Sequence, residues 1–263
     1  MNIAAWLILL LPLFSVAAIG LGAYRSRLAS AVLSVGAVVG SFLLTLWLIA
    51  VGGELHSSIP WLAIEGLQID IGLQIDPLSK LMLCVVTGVG SLIHIFSLGY
   101  MKEDRDFSRY FAFLSLFVFS MLGIVLADNF VMMFIFWELV GVSSYLLIGF
   151  WHERRGPQLA SKKAWVMNRI GDAGFIIGFG ILFFKLSGNV LLPAAQGALS
   201  SSDSLVTMFG AIEQVLATES DAASVTYSFT NPPLWLTAAG IALFFGAIGK
   251  SAQFPLHTWL PDA

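Results

Sequence analysis

Residues 130–150 read FVMMFIFWELVGVSSYLLIGF. Glu138 is the only charged residue in this run. As a helix the run rises about 31 Å, close to the hydrocarbon thickness of a bilayer. An ionised carboxylate at that depth costs at least about 2.5–3.5 kcal/mol to insert. Such a side chain is paired, protonated or set against a polar path. Further charges lie in later apolar runs, among them Arg169 and Asp172 in one and Lys250 in another. Acids and bases spread through successive membrane helices are what a proton pathway needs, and a passive anchor does not need them.

Composition places this run in a polytopic membrane protein. Hydrophobic residues make up 58% of the chain and charged residues 11%, against about 25% charged in soluble domains. The net charge of −3 says little, because its distribution matters more. The single cysteine, Cys84, lies in an apolar run, which excludes a disulfide framework within the chain. No Cys/His spacing matches a zinc, haem or iron–sulfur site. No glycine-rich loop follows a soluble strand–helix pattern, so a nucleotide site is not expected. The N-terminus, MNIAAWLILLLPLF, lacks the basic region of a cleavable signal and reads as the first membrane helix.

Seven runs are long and apolar enough to span: residues 3–23, 29–51, 78–98, 110–126, 130–150, 164–186 and 234–254. The loops after the first, third and fifth runs carry Arg25 and Arg27, then Lys102, Arg105 and Arg109, then Arg154, Arg155, Lys162 and Lys163. The facing loops, 52–77, 127–129 and 187–233, hold no Lys or Arg. The positive-inside rule then puts the N-terminus outside and the basic loops on the cytoplasmic or matrix side. Residues 61–76, WLAIEGLQIDIGLQID, alternate apolar and polar side chains. That period of two predicts an outer-face hairpin, turning at Glu65-Gly66 or nearer Gly72. Residues 206–216 have the pattern of a short amphipathic helix within the long outer loop.

Each charged site has a structural reading beside its functional one. Glu138 is either a carboxylate held by Ser or Tyr from a neighbouring helix, or a titratable relay. Desolvation and a nearby cation act on such a group in opposite directions, which suits a switch. Arg169 and Asp172, three apart, share a helix face, either as a self-neutralising pair or as partners for other helices. Lys250 follows Gly246 and Gly249 and precedes Pro255 and Pro261. A helix broken there exposes backbone polar groups, which need protein or a cavity beside them. Lys250 then sits in a wet pocket, or else snorkels to the cytoplasmic surface. His94 is either a hydrogen-bonded packing histidine or an extension of a relay. Lys185 snorkels at the outer end of its run. Asp128 and Asn129 make a tight outer turn.

FWELVGVSSYLLIGFW (136–151), RIGD (169–172) and GKSAQFPLHTWLPDA (249–263) resemble the antiporter-like membrane subunits of respiratory NADH–quinone oxidoreductase (complex I), on the subunit L or chain 5 branch. IDPLSKLMLCVVTGVGSLIHIFSLGYM (75–101) is similar to the third-helix segment of that family. The likeness covers essentially the whole chain. It implies an all-α polytopic membrane fold of about seven helices, the seventh discontinuous, with inverted repeats and a small outer β-hairpin after the second helix. The implied organisation is a transmembrane hairpin at 1–51, an outer loop with the hairpin at 52–77, and a proton-translocation module at 78–263 that contains the outer loop 187–233. Glu138 and Lys250 match the fifth-helix glutamate and seventh-helix lysine of that module. Arg169 and Asp172 match the charge pair of this branch, which the large Mrp-type subunit usually lacks.

The resemblance further implies no cofactor in this chain, with NAD, FMN, iron–sulfur clusters and quinone in partner subunits. The implied partners are other membrane subunits, especially a neighbouring antiporter-like one, in an energy-transducing membrane, bacterial plasma membrane first. In that role Glu138 and Lys250 exchange proton affinity as their separation changes, an interaction on the order of 4 kcal/mol at an effective dielectric near 20. Family members continue beyond the motif ending at Ala263 with a histidine, a second lysine and an exit half-channel. The chain is therefore expected to be the N-terminal portion of such a subunit, or else a short form completed by another polypeptide. The competing functions are an Mrp-type cation/proton antiporter subunit and a truncated assembly protein that does not transport.

Overall fold

The computed structural model describes residues 2–64, 67–187 and 230–263, with residues 212, 215–217, 219–220 and 227–228. Its elements are α1 (Asn2–Ala18, prolonged by a π turn at Ile19–Ala23), α2 (Arg27–Val51), strands β1 (Leu55–Ile64) and β2 (Leu67–Ile75), α3 (Pro77–Tyr100), α4 (Phe107–Leu126), α5 (Phe130–Ile148), α6 (Arg155–Ser187) and α7 (Leu234–Lys250). A 3-10 segment, His257–Asp262, follows. Six helices are long and apolar enough to cross a membrane. The chain is an integral membrane protein, mostly helical, with one small two-stranded sheet among the described residues. The expected hairpin turn at Glu65-Gly66 and most of the expected helix at 206–216 lie outside the described residues.

Two compact units divide the chain: Met1–Ser58, Gly72–Ala127 and Met132–His152 form one, and Ile59–Ile71, Asp128–Val131 and Glu153–Ala263 form the other. In the first, α2 and α4 meet along a seam of small hydroxyl side chains. Ser30 Oγ donates to Ser108 Oγ at 2.9 Å, and Ser34 and Ser115 share a bond of 2.7 Å. Ser41 Oγ reaches the Ile8 carbonyl of α1 at 3.0 Å. In lipid, where apolar association has little drive, small residues and interhelical hydrogen bonds hold helices together. At one end of this unit Trp6 Nε1 donates to Ser57 Oγ at 3.1 Å, joining the start of α1 to β1. At the other end Arg27 donates to the Lys102 carbonyl, and Asp104 accepts from Trp151 Nε1. Gly123 lies under the Phe136 ring, where a Cβ would meet ring carbon at 2.1 Å, so α5 rests directly on α4.

In the second unit α6 and α7 pack antiparallel. A Cβ on Gly171 would lie 3.0 Å from Gly249 Cα, and one on Gly178 would lie 2.7 Å from Leu243 N. Glycines at these crossings bring the two backbones together. In the last turn of α6, Lys185 pairs with Glu219 at 3.0 Å rather than merely snorkelling, and Trp235 Nε1 at the head of α7 donates to the same carboxylate at 2.7 Å. Asp128 and Asn129 are buried, and Asn129 Nδ2 donates to the Asp70 carbonyl at 2.8 Å. The expected tight turn is thus also a clip on β2.

Two boundaries differ from the sequence reading. α6 begins at Arg155, not near residue 164, and has 33 residues. Pro157 is harmless in a first turn, where its missing N–H would have no partner. Ala160, Ser161 and Ala164 are buried, so the basic stretch is an amphipathic opening of the helix rather than a loop. α7 ends at Lys250, not at 254. The Ser251 amide bonds the Ala247 carbonyl at 2.9 Å and the Gln253 amide bonds the Ile248 carbonyl at 3.0 Å, across Ala252 at φ 49°. This is a Schellman-type stop with alanine in the left-handed position that glycine usually takes. With 17 residues, α7 rises about 25 Å, less than a bilayer core.

Candidate functional site

The extra length of α6 moves Asp172 from near one end of an apolar run to the middle of a helix about 50 Å long. The glycine contact of Gly171 with Gly249 then brings Lys250 to the same level. Asp172 Oδ2 lies 3.5 Å from Lys250 Nζ and 3.9 Å from Arg169 Nη1. The Asp172 side chain is 3% exposed, Lys250 13% and Arg169 37%. One enclosed carboxylate is therefore shared by two cations of unequal access. Arg169 is also held from its outer side, with its guanidinium carbon 4.0 Å from the centroid of the Trp165 ring.

Lys250 is the last residue of α7, so it meets the negative end of the helix dipole. The break in the helix was expected to leave carbonyls beside a wet pocket. Instead the capping amides take Ala247 and Ile248, and Trp259 Nε1 donates to the Gly249 carbonyl at 3.1 Å. Protein groups, rather than solvent, meet much of the exposed backbone. Near the far end of the 3-10 segment, Asp262 pairs with Lys163 at 2.6 Å, fastening it along the opening half of α6. The lysine is thus presented by a terminated helix whose continuation is tied down.

Of the five sequence candidates, Arg169, Asp172 and Lys250 come together. Glu138 belongs to the first unit, half-buried at mid-helix in α5. His94, also in the first unit, is fully enclosed, with Nδ1 2.8 Å from the Gly90 carbonyl. Sequence reasoning passed over Asn168. It is 3% exposed and one turn before Asp172, and its Oδ1 is buried without a hydrogen bond among the described residues. Its i, i+4 spacing from Asp172 was the available signal. Among the described residues no group of three or more metal-ligating side chains gathers.

The family model for the NADH:quinone oxidoreductase/Mrp antiporter transmembrane region matches residues 127–263, just over half of the chain. The chain belongs to this antiporter family. A second model, complex I chain 5 N-terminus, matches residues 61–111. Glu138, Arg169, Asp172 and Lys250 all fall within the antiporter match. Chloroplastic NAD(P)H-quinone oxidoreductase subunit 5 of Zygnema circumcarinatum is 39% identical over 100% of this chain and 36% of its own length. NADH-quinone oxidoreductase subunit L of Mycobacterium tuberculosis is 38% identical over 98% of this chain and 37% of its own. The chain thus spans little more than a third of these relatives. Among solved structures, the Mrp complex from a Dietzia species aligns at TM-score 0.72 and 21% identity, over 99% of this chain and 25% of that one. A membrane-bound sulfane sulfur reductase, an archaeal respiratory complex, aligns at 0.65 and 21% identity, over 97% and 35%. At that identity the likeness shows that this chain shares a fold with chains of these complexes, and no more is read from it.

Proposed function

We propose that this chain is part of a proton-translocating membrane subunit of an NADH–quinone oxidoreductase, in which Glu138 and Lys250 carry the relay and Asp172 and Arg169 set its charge balance. The observation that carries this reading is Lys250 at a helix end, 3.5 Å from the enclosed Asp172, with Arg169 competing for the same oxygen. At that distance and an effective dielectric near 20, the pair is worth on the order of 4–5 kcal/mol. Altering its geometry changes how firmly the lysine holds its proton. A movement of α7 against α6 is one way to alter it, and relayed movement from partner subunits is the source of energy in this reading. The redox groups, NAD, FMN, iron–sulfur clusters and quinone, then belong to those partners. The identities of 35–39% to oxidoreductase subunits favour this reading over an Mrp-type cation antiporter, whose support here is a likeness of fold.

The test is proton pumping per assembled complex in reconstituted vesicles. Glu138→Gln and Lys250→Met each remove a titratable group and leave a neutral residue that is easier to bury. Both are expected to reduce pumping well beyond any loss of assembly, while Cys84→Ser changes neither. Normal pumping in both variants overturns the relay. Sodium-dependent transport without NADH oxidation would favour the antiporter alternative.

A further inference from the structure

One buried line runs along α6 at spacings of three and four: Ala164, Asn168, Gly171, Phe175, Gly178 and Leu182. It is the face that packs on α7. Gly171 and Gly178 meet the backbone of α7 there, and a Cβ on Gly246 would lie 2.9 Å from Phe175 Cβ. Asn168 is the one polar side chain on this line. It falls between two ties of α6, the Lys163–Asp262 pair and the Gly171–Gly249 contact. Asp172 lies one turn further along the helix.

Asn168 is enclosed, and its Oδ1 has no hydrogen-bond partner among the described residues. Nearly all buried polar atoms in folded proteins have one, so the exception points to a second arrangement that supplies it. The oxygen has no surface open to solvent, so the donor comes from the protein itself. The Lys250 ammonium, 3.5 Å from Asp172 Oδ2, is a donor one turn away on the same side of α6. Side chains four apart on a helix have Cβ atoms about 5–6 Å apart. A lysine's flexible four-carbon stem can carry its ammonium across such a step. Asp172 is not left without a cation when the lysine departs, because Arg169 Nη1 lies 3.9 Å from the same oxygen.

We propose that Asn168 Oδ1 is a second docking position for the Lys250 ammonium, occupied when the lysine leaves Asp172, which makes Asn168 a positioning residue of the relay. At Asn168 the lysine faces a neutral acceptor in place of the carboxylate that favours its charged form. The two positions, one anionic and one neutral, stand one turn apart on α6. This role rests on the relay reading of Lys250.

The test compares Asn168→Gln with Asn168→Met in the assembled complex in vesicles. The two side chains match in length and flexibility, and only glutamine keeps a carbonyl acceptor. Loss of one hydrogen bond from the relay should make the methionine variant pump about 3–10-fold more slowly than the glutamine variant. The thermal midpoint of the methionine variant should equal or exceed that of the glutamine variant, because Oδ1 supports nothing while the lysine is at Asp172. Equal pumping by the two variants overturns the proposal. Slower pumping together with a lower midpoint for methionine also overturns it, since Asn168 then holds the helices together. Lys250→Met, measured alongside, separates the two levels of the account. Native pumping by Lys250→Met removes the relay reading itself. Loss of pumping there, with equal pumping by the two Asn168 variants, removes the second docking position alone. If neither Asn168 variant assembles, Asn168→Ala against the native complex decides on the same two readouts.

Discussion

Asp104, in the turn between α3 and α4, shows how far one side chain can organise the basic end of the first unit. Burial pushes its carboxyl up. The Trp151 indole N–H, the Asp106 amide and the Arg109 and Arg27 guanidiniums outweigh that and hold it below the usual carboxylate range. A group depressed in the folded state stabilises the protein above its unfolded value, about 3.9. That contribution fades as pH falls through the lower folded value. Asp104→Asn should therefore cost roughly 0.5–1 kcal/mol near neutral pH, a figure reduced for its partial exposure. The variant should also lose part of the acid sensitivity below about pH 4. Unfolding midpoints of the native and variant proteins across pH 2–7 check this. Equal midpoints at neutral pH would contradict the role given to Asp104. Glu219 obeys the same logic. Burial raises it, but Trp235 and Lys185 prevail, so its carboxyl also lies low.

Among the elements, the α6–α7 pair carries the candidate site, and its geometry depends on two backbone devices. The first is glycine contact. A Cβ at Gly178 would lie 2.7 Å from Leu243 N and 2.8 Å from the Ala239 carbonyl, backbone atoms that cannot yield without moving the helix. Gly178→Ala should cost about 1–3 kcal/mol and separate α6 from α7. The second is the stop after Lys250. Ala252 holds a left-handed conformation that costs an L-residue about 1–2 kcal/mol, so Ala252→Gly should preserve or raise stability by up to about that amount. Denaturant unfolding of the full-length protein measures both; a destabilising Ala252→Gly would contradict the assigned stop. These devices also mark the limit of what the sequence made legible. Unbroken hydropathy exposed all six spanning helices, and alternation exposed β2, whereas β1 begins at Leu55, ahead of the stretch read as a hairpin. The RIGD spacing put Arg169 and Asp172 on one face. The start of α6 was hidden because a basic amphipathic turn looks like a loop. The end of α7 was hidden because alanine does not announce a left-handed stop. Pairing of Asp172 with Lys250 across two helices depended on the glycine register, which periodicity within one helix cannot reveal.

For the whole molecule, charge asymmetry and structure combine within the first unit. Trp6 and Ser57 join at one end, while Arg27 with Lys102 and Asp104 with Trp151 join at the other. With nine basic residues in the loops and helix openings of one side, we expect the N-terminus outside and Lys162 and Lys163 on the cytoplasmic or matrix side. Cysteines introduced at residues 187–204 should react with an impermeant reagent from outside; labelling only from inside would reverse the topology. The proton-relay account makes a sharper demand, namely that Asp172 and Lys250 act as one unit. If they do, their effects on transport are non-additive. The measurement is protons pumped per NADH oxidised by the assembled complex in vesicles, for Asp172→Asn, Lys250→Met and the double variant. The account predicts that each single variant lowers the ratio and that the double variant is no worse than Lys250→Met alone. Native ratios in both single variants, or losses that simply multiply in the double variant, would contradict it.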